Sequence, residues 1–307
     1  MKHLIVIGGP TASGKTKFAI QLAQFFQTEI LSYDSRQFYK EIPIATAQPT
    51  EQELAQAQHH FIGFRSIHQP LNASDFSDLA EVRLHDIFQK SDFCIAVGGS
   101  GLYAKAWLEG FDDVPHVPVE VRNQINSIYE KGGIEALQSL LKEVDPLYYE
   151  KVDLSNPRRL TRALEVYYHT GMPFSFYLNK KVKTQKNYRI FYLGLNPDRA
   201  ELHKAIEWRV GEMVKNGLFE EVEPLHPYKN LQALQTVGCR EVFDMLDGKY
   251  TRDQCIEQII IHTRQYARRQ ITWYNRVHGM HWFSKIPREN EVLEALDLDA
   301  TGGQRSF

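Results

Sequence analysis

Gly8-Gly-Pro-Thr-Ala-Ser-Gly-Lys-Thr16 follows directly on Lys2-His-Leu-Ile-Val-Ile7 and leads into Lys17-Phe-Ala-Ile-Gln-Leu-Ala-Gln-Phe-Phe26. An apolar strand thus enters a glycine-rich turn, and a lysine-threonine pair opens the helix behind it. That order is the signature of a phosphate-binding loop. Backbone N–H groups of such a turn converge on phosphate oxygens, and the helix N-terminus adds its positive end. Gly9, Pro10, Thr11, Ala12, Ser13 and Gly14 form the cradle, Lys15 supplies a mobile charge, and Thr16 can hold a magnesium ion. The pattern implies a polyphosphate ligand of the kind an ATP-type loop binds, without specifying ATP.

Outward from the loop, helices and strands alternate. Strands are expected at residues 4–7, 29–33 and 93–97, and helices at 15–26 and 74–88, the latter from the spacing of Phe76, Leu79, Val82, Leu84 and Ile87. The polar stretch 50–59 reads as helical. Near-continuously apolar strands between helices belong to a parallel sheet covered on both faces. Ligands on such a sheet gather beyond the carboxyl ends of its strands. The phosphate loop, Asp34 and the turn Gly98-Gly-Ser-Gly101 all follow strands, so they should line one crevice.

Composition changes at Gly110-Phe-Asp-Asp-Val-Pro-His-Val-Pro118, whose prolines and acids read as a linker. Helical segments follow at 119–129 and 134–141. Another helix opens at Asn156-Pro157 and stops at Gly171-Met-Pro173. Strand character returns at 188–195, and 198–216 reads as a helix ending at Gly217. The expected division is residues 1–112 as the first part of an α/β core, 113–188 as a helical insertion, and 189–307 as the return to the core. A long helix over 253–275 carries Ile256, Ile260, Thr263, Ala267, Ile271 and Tyr274 on one face. Arg264 and Arg268 share a second face, and Arg269, Trp273 and Arg276 a third. The segment after Glu289 reads as a polar, loose tail.

The chain has 307 residues, 43% hydrophobic and 24% charged, enough for one substantial core and a smaller second unit. No apolar run approaches the roughly 18 residues needed to cross a bilayer, and the start leaves no room for a signal peptide. A cytoplasmic protein without membrane association is therefore expected. Cys94, Cys239 and Cys255 lack metal or redox spacing, and His59-His60 does not form a zinc pattern. The net charge of −2 excludes a globally basic nucleic-acid binder. Local clusters point the other way: Lys180, Lys181, Lys183, Lys186 and Arg189; Arg158, Arg159 and Arg162; Arg264, Arg268, Arg269 and Arg276. Together they could form a track for a polyanion.

Several chemistries fit a bare phosphate loop. A mechanical or switch NTPase needs a magnesium-orienting acid at the end of a hydrophobic strand, but the strand at 93–97 ends in glycines. Asp34 follows the second strand instead, where an acid can take a proton from an attacking nucleophile. This favours a compact transferase. Ser35, Arg36 and Gln37 set a hydroxyl, a guanidinium and an amide beside that carboxylate, and an amide can pair with a base edge. Ser100 offers a hydroxyl to a phosphate or an amine. A small-molecule kinase shares the loop and the acid and stays as an alternative.

The set of motifs resembles one family, the tRNA dimethylallyltransferases, also called tRNA isopentenyltransferases. The matching stretches are Gly9-Pro-Thr-Ala-Ser-Gly-Lys-Thr16, Asp34-Ser-Arg-Gln37, Thr46-Ala-Gln-Pro49 with His59-His60, and Gly99-Ser-Gly-Leu-Tyr103. Asn156-Pro-Arg-Arg-Leu-Thr-Arg-Ala-Leu-Glu165 and Thr263-Arg-Gln-Tyr-Ala-Arg-Arg-Gln-Ile-Thr-Trp273 complete the set in family order. The resemblance implies a P-loop NTPase-like α/β core with a helical insertion. It implies transfer of a dimethylallyl group from dimethylallyl diphosphate to N6 of adenosine 37 in tRNAs that read codons beginning with U. Diphosphate leaves with Mg2+ assisting through Thr16. Asp34 is implied as general base, Lys15 as a catalytic cation, and Ser100, where the family usually has Thr, as a group that orients the amine or a phosphate oxygen.

By the same resemblance, the anticodon stem-loop of tRNA contacts Asp34, Ser35, Arg36, Gln37, Ser100, Arg122, Arg158, Arg159, Leu160, Thr161 and Arg162. Arg264 and Arg268 act as backbone clamps, and a monomer is expected. Three departures stand out. Gln48 replaces the lysine of Thr-Ala-Lys-Pro, Gly238-Cys-Arg-Glu241 replaces Gly-Tyr-Lys-Glu, and Ala205 replaces the first arginine of Arg-Ile-x-x-Arg. Arg209, one turn beyond Ala205, is kept as a diphosphate-binding candidate with its reach in question. Two lost cations would weaken donor binding or mark a divergent tRNA-binding paralogue with weak or no activity. Lys15, Thr16 and Asp34 remain, so an active enzyme is expected.

Overall fold

β1 (Lys2–Gly8) lies inside a parallel sheet because its side chains are apolar on both faces: Leu4 and Val6 enter one core, Ile5 and Ile7 the other. The computed structural model describes residues 1–110, 112, 114–178 and 186–297. β1 pairs in parallel with β4 (Phe93–Val97) and β5 (Tyr188–Leu195), with Ile5 opposite both Ile95 and Phe191. β2 (Ile30–Ser32) pairs with β4 and with the short β3 (His59–His60), and β6 (Met280–Phe283) pairs with β5. The strand order is β3-β2-β4-β1-β5-β6.

The principal helices are α1 (Lys15–Phe25), α2 (Ala73–Lys90), α3 (Gly101–Glu109), α4 (Val119–Val144), α5 (Pro157–Thr170), α6 (Arg199–Lys215), α7 (Arg252–Tyr274) and α8 (Glu289–Leu296). The chain forms two compact units, one of residues Met1–Leu108 with Lys186–Phe307, the other of Glu109–Gln185. In the second unit, α4 is broken at Gly133, whose φ of 65° is left-handed. Ile125, Leu137 and Leu141 of α4 form a core with Leu160, Ala163 and Leu164 of α5. The Asn156 side chain accepts the Arg159 N–H, and Gly171 ends α5 in the left-handed conformation.

Several expectations need correction. Residues 50–59 are not one helix: Thr50 and Glu53 form a capping box over Glu51–Leu54, and His59–His60 joins the sheet. Val82 is exposed, outside the buried stripe of α2. On α7, Ala267 and Tyr274 of the expected face are buried and Ile256, Ile260 and Ile271 are partly buried against the cores, while the buried seam also takes in Cys255, Ile259 and Gln270. Its polar member, Gln270, is buried because both ends of its amide are hydrogen-bonded. β6 was not anticipated. The loose tail is partly a helix, since α8 buries Val292, Leu293 and Leu296 against the core that holds Ile5, Ile7 and Phe18.

Of the basic cluster, Lys180, Lys181 and Lys183 lie outside the described residues. Lys186 pairs with Glu81, and the Arg189 guanidinium lies 4.6 Å from the Phe191 ring centroid. Among the described residues, no helix is long and apolar enough to cross a membrane. Because Leu296 is fully buried, Leu296→Ala should destabilise the first unit by about 2–4 kcal/mol. Urea unfolding checks this; a change near zero would restore the loose-tail reading.

Candidate active site

Turns after β1, β2 and β4 meet at one end of the sheet. Gly9 adopts φ 134°, and a Cβ on it would lie 2.3 Å from the Leu195 carbonyl oxygen, so only glycine fits. Ala12 is left-handed at φ 63°, and Gly14 at φ 91° starts α1. No side chain caps α1, which leaves its first N–H groups to an anion. The Thr11 N–H is already committed to Gln270 Oε1 at 2.7 Å.

Two half-buried cations face this turn. Lys15 Nζ donates to the Pro10 carbonyl at 2.6 Å, and Arg209 Nη1 donates to Thr11 Oγ1 at 2.9 Å. Arg209 therefore reaches the loop, which answers the question raised by its spacing. Burial, reinforced by the nearby Arg209 charge and opposed by Asp34, pushes the Lys15 pKa down to about 7. Burial also lowers that of Arg209, with Glu53 and Asp34 opposing. Ser13 Oγ is buried without a hydrogen-bond partner. An unpaired hydroxyl in a turn that two cations also bond fits a polyanion.

Among the described residues, no group of three or more His, Cys, Asp or Glu could hold a metal ion. Thr16, in the first turn of α1, fits the other way of binding magnesium, in which substrate phosphates and water fill most positions.

The turns after β2 and β4 carry a carboxylate and a hydroxyl. Asp34 is half-buried, and its Oδ1 accepts the Arg36 N–H at 3.1 Å. Ser100 Oγ accepts the Ser35 N–H at 2.9 Å and lies 2.9 Å from Ser35 Oγ. The Tyr266 phenol pKa is raised chiefly by burial and further by Asp34. Arg36 Nη1 donates to the Gln232 carbonyl at 2.9 Å. Gln37 Nε2 donates to the Ala47 carbonyl at 2.8 Å, so its amide N–H groups hold backbone rather than standing free for a base. Gln48 Nε2 donates to the carbonyls of Tyr39 at 2.8 Å and Gln37 at 3.1 Å. Position 48 thus ties the Gln37 loop together.

Sequence reasoning missed the part played by α7. Tyr274 Oη donates to the Gly98 carbonyl at 2.9 Å and lies 3.0 Å from Tyr33 Oη, which donates to the Ile7 carbonyl. Gln270 Nε2 donates to the Gly99 carbonyl at 3.1 Å. A Cβ at Gly101 would lie 2.2 Å from the Trp273 ring, so that indole packs flush on the turn. The available signal was the spacing of Gln270, Trp273 and Tyr274 opposite a glycine-rich strand end.

The remaining candidates fall into separate groups. In the second unit Arg158 and Arg159 are exposed, while Thr161 Oγ1 donates to the Arg158 carbonyl. Leu160 is fully buried in that unit's core and its N–H bonds the Asn156 carbonyl, so neither its side chain nor its N–H is open to an outside partner. Arg122 and Arg162 both pair with Glu165, at 3.9 and 3.7 Å. In the first unit Arg264 is paired with Glu207. Arg268 is exposed and lines a surface groove with Gln265, Arg269 and Thr272.

A family model described as IPP transferase matches residues 37–277. A tRNA dimethylallyltransferase of Flavobacterium johnsoniae is 44% identical over 302 residues, covering 96% of this chain and 97% of the relative. The crystal structure of full-length tRNA isopentenylpyrophosphate transferase from Bacillus halodurans superposes with a TM-score of 0.68 at 30% identity, over 96% of this chain and 94% of that one. A eukaryotic dimethylallyltransferase acting on tRNA gives a TM-score of 0.73 at 27% identity, over 98% and 74%.

The Lys15 pKa is depressed in the folded state, so its charge opposes folding fully below about pH 7, and the penalty fades as pH rises towards the unfolded value of 10.5. Lys15→Met should therefore stabilise the fold, on the order of a few kcal/mol at or below neutrality and progressively less towards pH 10. Denaturation across that range checks it, and a stabilisation that grows with pH would contradict the assignment.

Proposed function

This chain belongs to the IPP transferase family, and from that premise we propose that it moves a dimethylallyl group from dimethylallyl diphosphate to N6 of adenosine 37 in tRNAs that read codons beginning with U. The observation that carries the reading is a chain of contacts at one sheet end: Arg209 Nη1 bonds Thr11 Oγ1, the Thr11 N–H bonds Gln270, and a Cβ on Gly99 would lie 2.1 Å from the Gln270 amide and 3.1 Å from Asp34 Oδ2. Cations and a carboxylate are thus brought to one crevice.

The residues divide the work accordingly. The carbon–oxygen bond breaks with its electron pair leaving on diphosphate, where Lys15, Arg209 and the α1 N–H groups meet the developing charge. The amine lone pair forms the carbon–nitrogen bond, and its proton passes to Asp34. Ser100, held by Ser35, orients the amine. Thr16 is the residue that would hold magnesium, which would further neutralise the leaving group when bound. An adenine stacked in an RNA loop must be swung out to reach this crevice. Exposed Arg158, Arg159 and Arg268 are the cations suited to phosphates of the RNA backbone.

Ala205 removes one guanidinium, while Arg209, the second arginine of the motif, still bonds the loop and keeps a cation there. Nor does Gln48 leave a hole, since its amide is satisfied by backbone.

Incubation with unmodified tRNA, dimethylallyl diphosphate and Mg2+ should yield a dimethylallylated adenosine at position 37, identified by nucleoside mass and RNA fragment mapping. Asp34→Asn should lower kcat by about 100-fold or more, with tRNA affinity within about threefold of the parent. No modified adenosine from the parent would reject the function; equal turnover by the variant would remove Asp34 from the proton step.

A further inference from the structure

We infer that Gln270 is a positioning residue, a latch whose single amide fixes the distance between the donor cradle after β1 and the acceptor turn after β4. Its side chain is 4% exposed, and it hydrogen-bonds both turns: Oε1 accepts the Thr11 N–H at 2.7 Å, and Nε2 donates to the Gly99 carbonyl at 3.1 Å. A Cβ on Gly99 would lie 2.1 Å from Nε2 and 3.1 Å from Asp34 Oδ2. The amide therefore sits flush against the turn, on the same small surface as the carboxylate.

Each bond leads to a working group. Thr11 is the residue whose hydroxyl holds Arg209, and Gly99 is the immediate neighbour of Ser100. A shift of either turn would move a cation or a hydroxyl relative to the other. No apolar residue of similar size can replace this link, because the Thr11 N–H and the Gly99 carbonyl would both lose their partners. A glutamate could keep only half of it, accepting from Thr11 but presenting a second acceptor to the Gly99 oxygen. The role is geometric: transfer between two bound reactants depends steeply on their relative placement, and a misplacement of about 1 Å costs on the order of 100-fold.

The inference rests on the proposed transferase reaction, so the test has two readouts. Amide hydrogen exchange is followed in the free protein, and kcat is compared with equilibrium binding of dimethylallyl diphosphate and of tRNA measured separately, all at a temperature where circular dichroism shows the variant folded. Gln270→Met should speed exchange at Thr11 and over residues 98–101 by about tenfold or more and lower kcat by about 100-fold, while each dissociation constant changes less than about threefold. Gln270→Glu should keep Thr11 protected, speed exchange at 98–101 only, and lose less kcat. It carries the test should the methionine variant fail to fold. Unchanged Thr11 exchange in Gln270→Met, kcat within threefold of the parent, or a kcat loss matched by weaker binding of either substrate would overturn the latch. A parent without transfer activity rejects the functional reading instead, and the exchange data then decide the latch alone.

Discussion

The backbone groups of turns buried at the carboxyl end of a parallel sheet must find partners other than water, and here one helix supplies many of them. Tyr274 and Gln270 of α7 bond Gly98, Gly99 and Thr11, and the Tyr33–Tyr274 pair extends the network to Ile7 at the end of β1. Close approach is possible because the facing positions are glycines: a Cβ at Gly8 would lie 2.4 Å from the Tyr274 ring. The crevice owes its shape to this contact. Donor cradle and acceptor turn belong to adjacent strands, β1 and β4, and α7 closes over both.

Within that frame the charges are arranged against stability. Lys15 and Arg209 are half-buried and close enough to repel, and their side-chain partners are a carbonyl and a hydroxyl. Such a pair is costly without a counter-anion and favourable with one, which suits an anionic ligand. The carboxylate that moderates both cations, Asp34, is the group assigned to the proton. Its half-exposed position keeps it open to a substrate while its backbone turn is fixed through Ser35 and Ser100.

The departures at positions 48 and 205 differ in three dimensions. Counting charges along the chain makes each a loss beside a polyanion. In the folded protein Gln48 serves two carbonyls of its own loop, whereas at position 205 one guanidinium is lost and Arg209, the second arginine of the motif, is the one that bonds the glycine-rich loop. A helix places residues four apart on the same face, so Arg209 projects from the face that carries position 205.

The sequence alone determined the phosphate loop, the parallel α/β core, the helical insertion, and the placing of Asp34 and Ser100 at strand ends. These rest on local signals: glycines with a lysine-threonine pair, apolar runs, and a proline and asparagine at helix starts. It left Gln270 out of the buried seam of α7, because a polar residue with both hydrogen bonds made gives no apolar signal, and it read the segment 289–296 as loose although Val292, Leu293 and Leu296 carry helical spacing over barely two turns. It could not show that Leu160 is core or that Arg264 is already paired with Glu207. Those matters, with the reach of Arg209 and the bridge made by Gln270, were decided only by tertiary structure. Each joins residues far apart in the chain, and the free energy of such a contact exists only once the sheet has brought them within a hydrogen bond of one another.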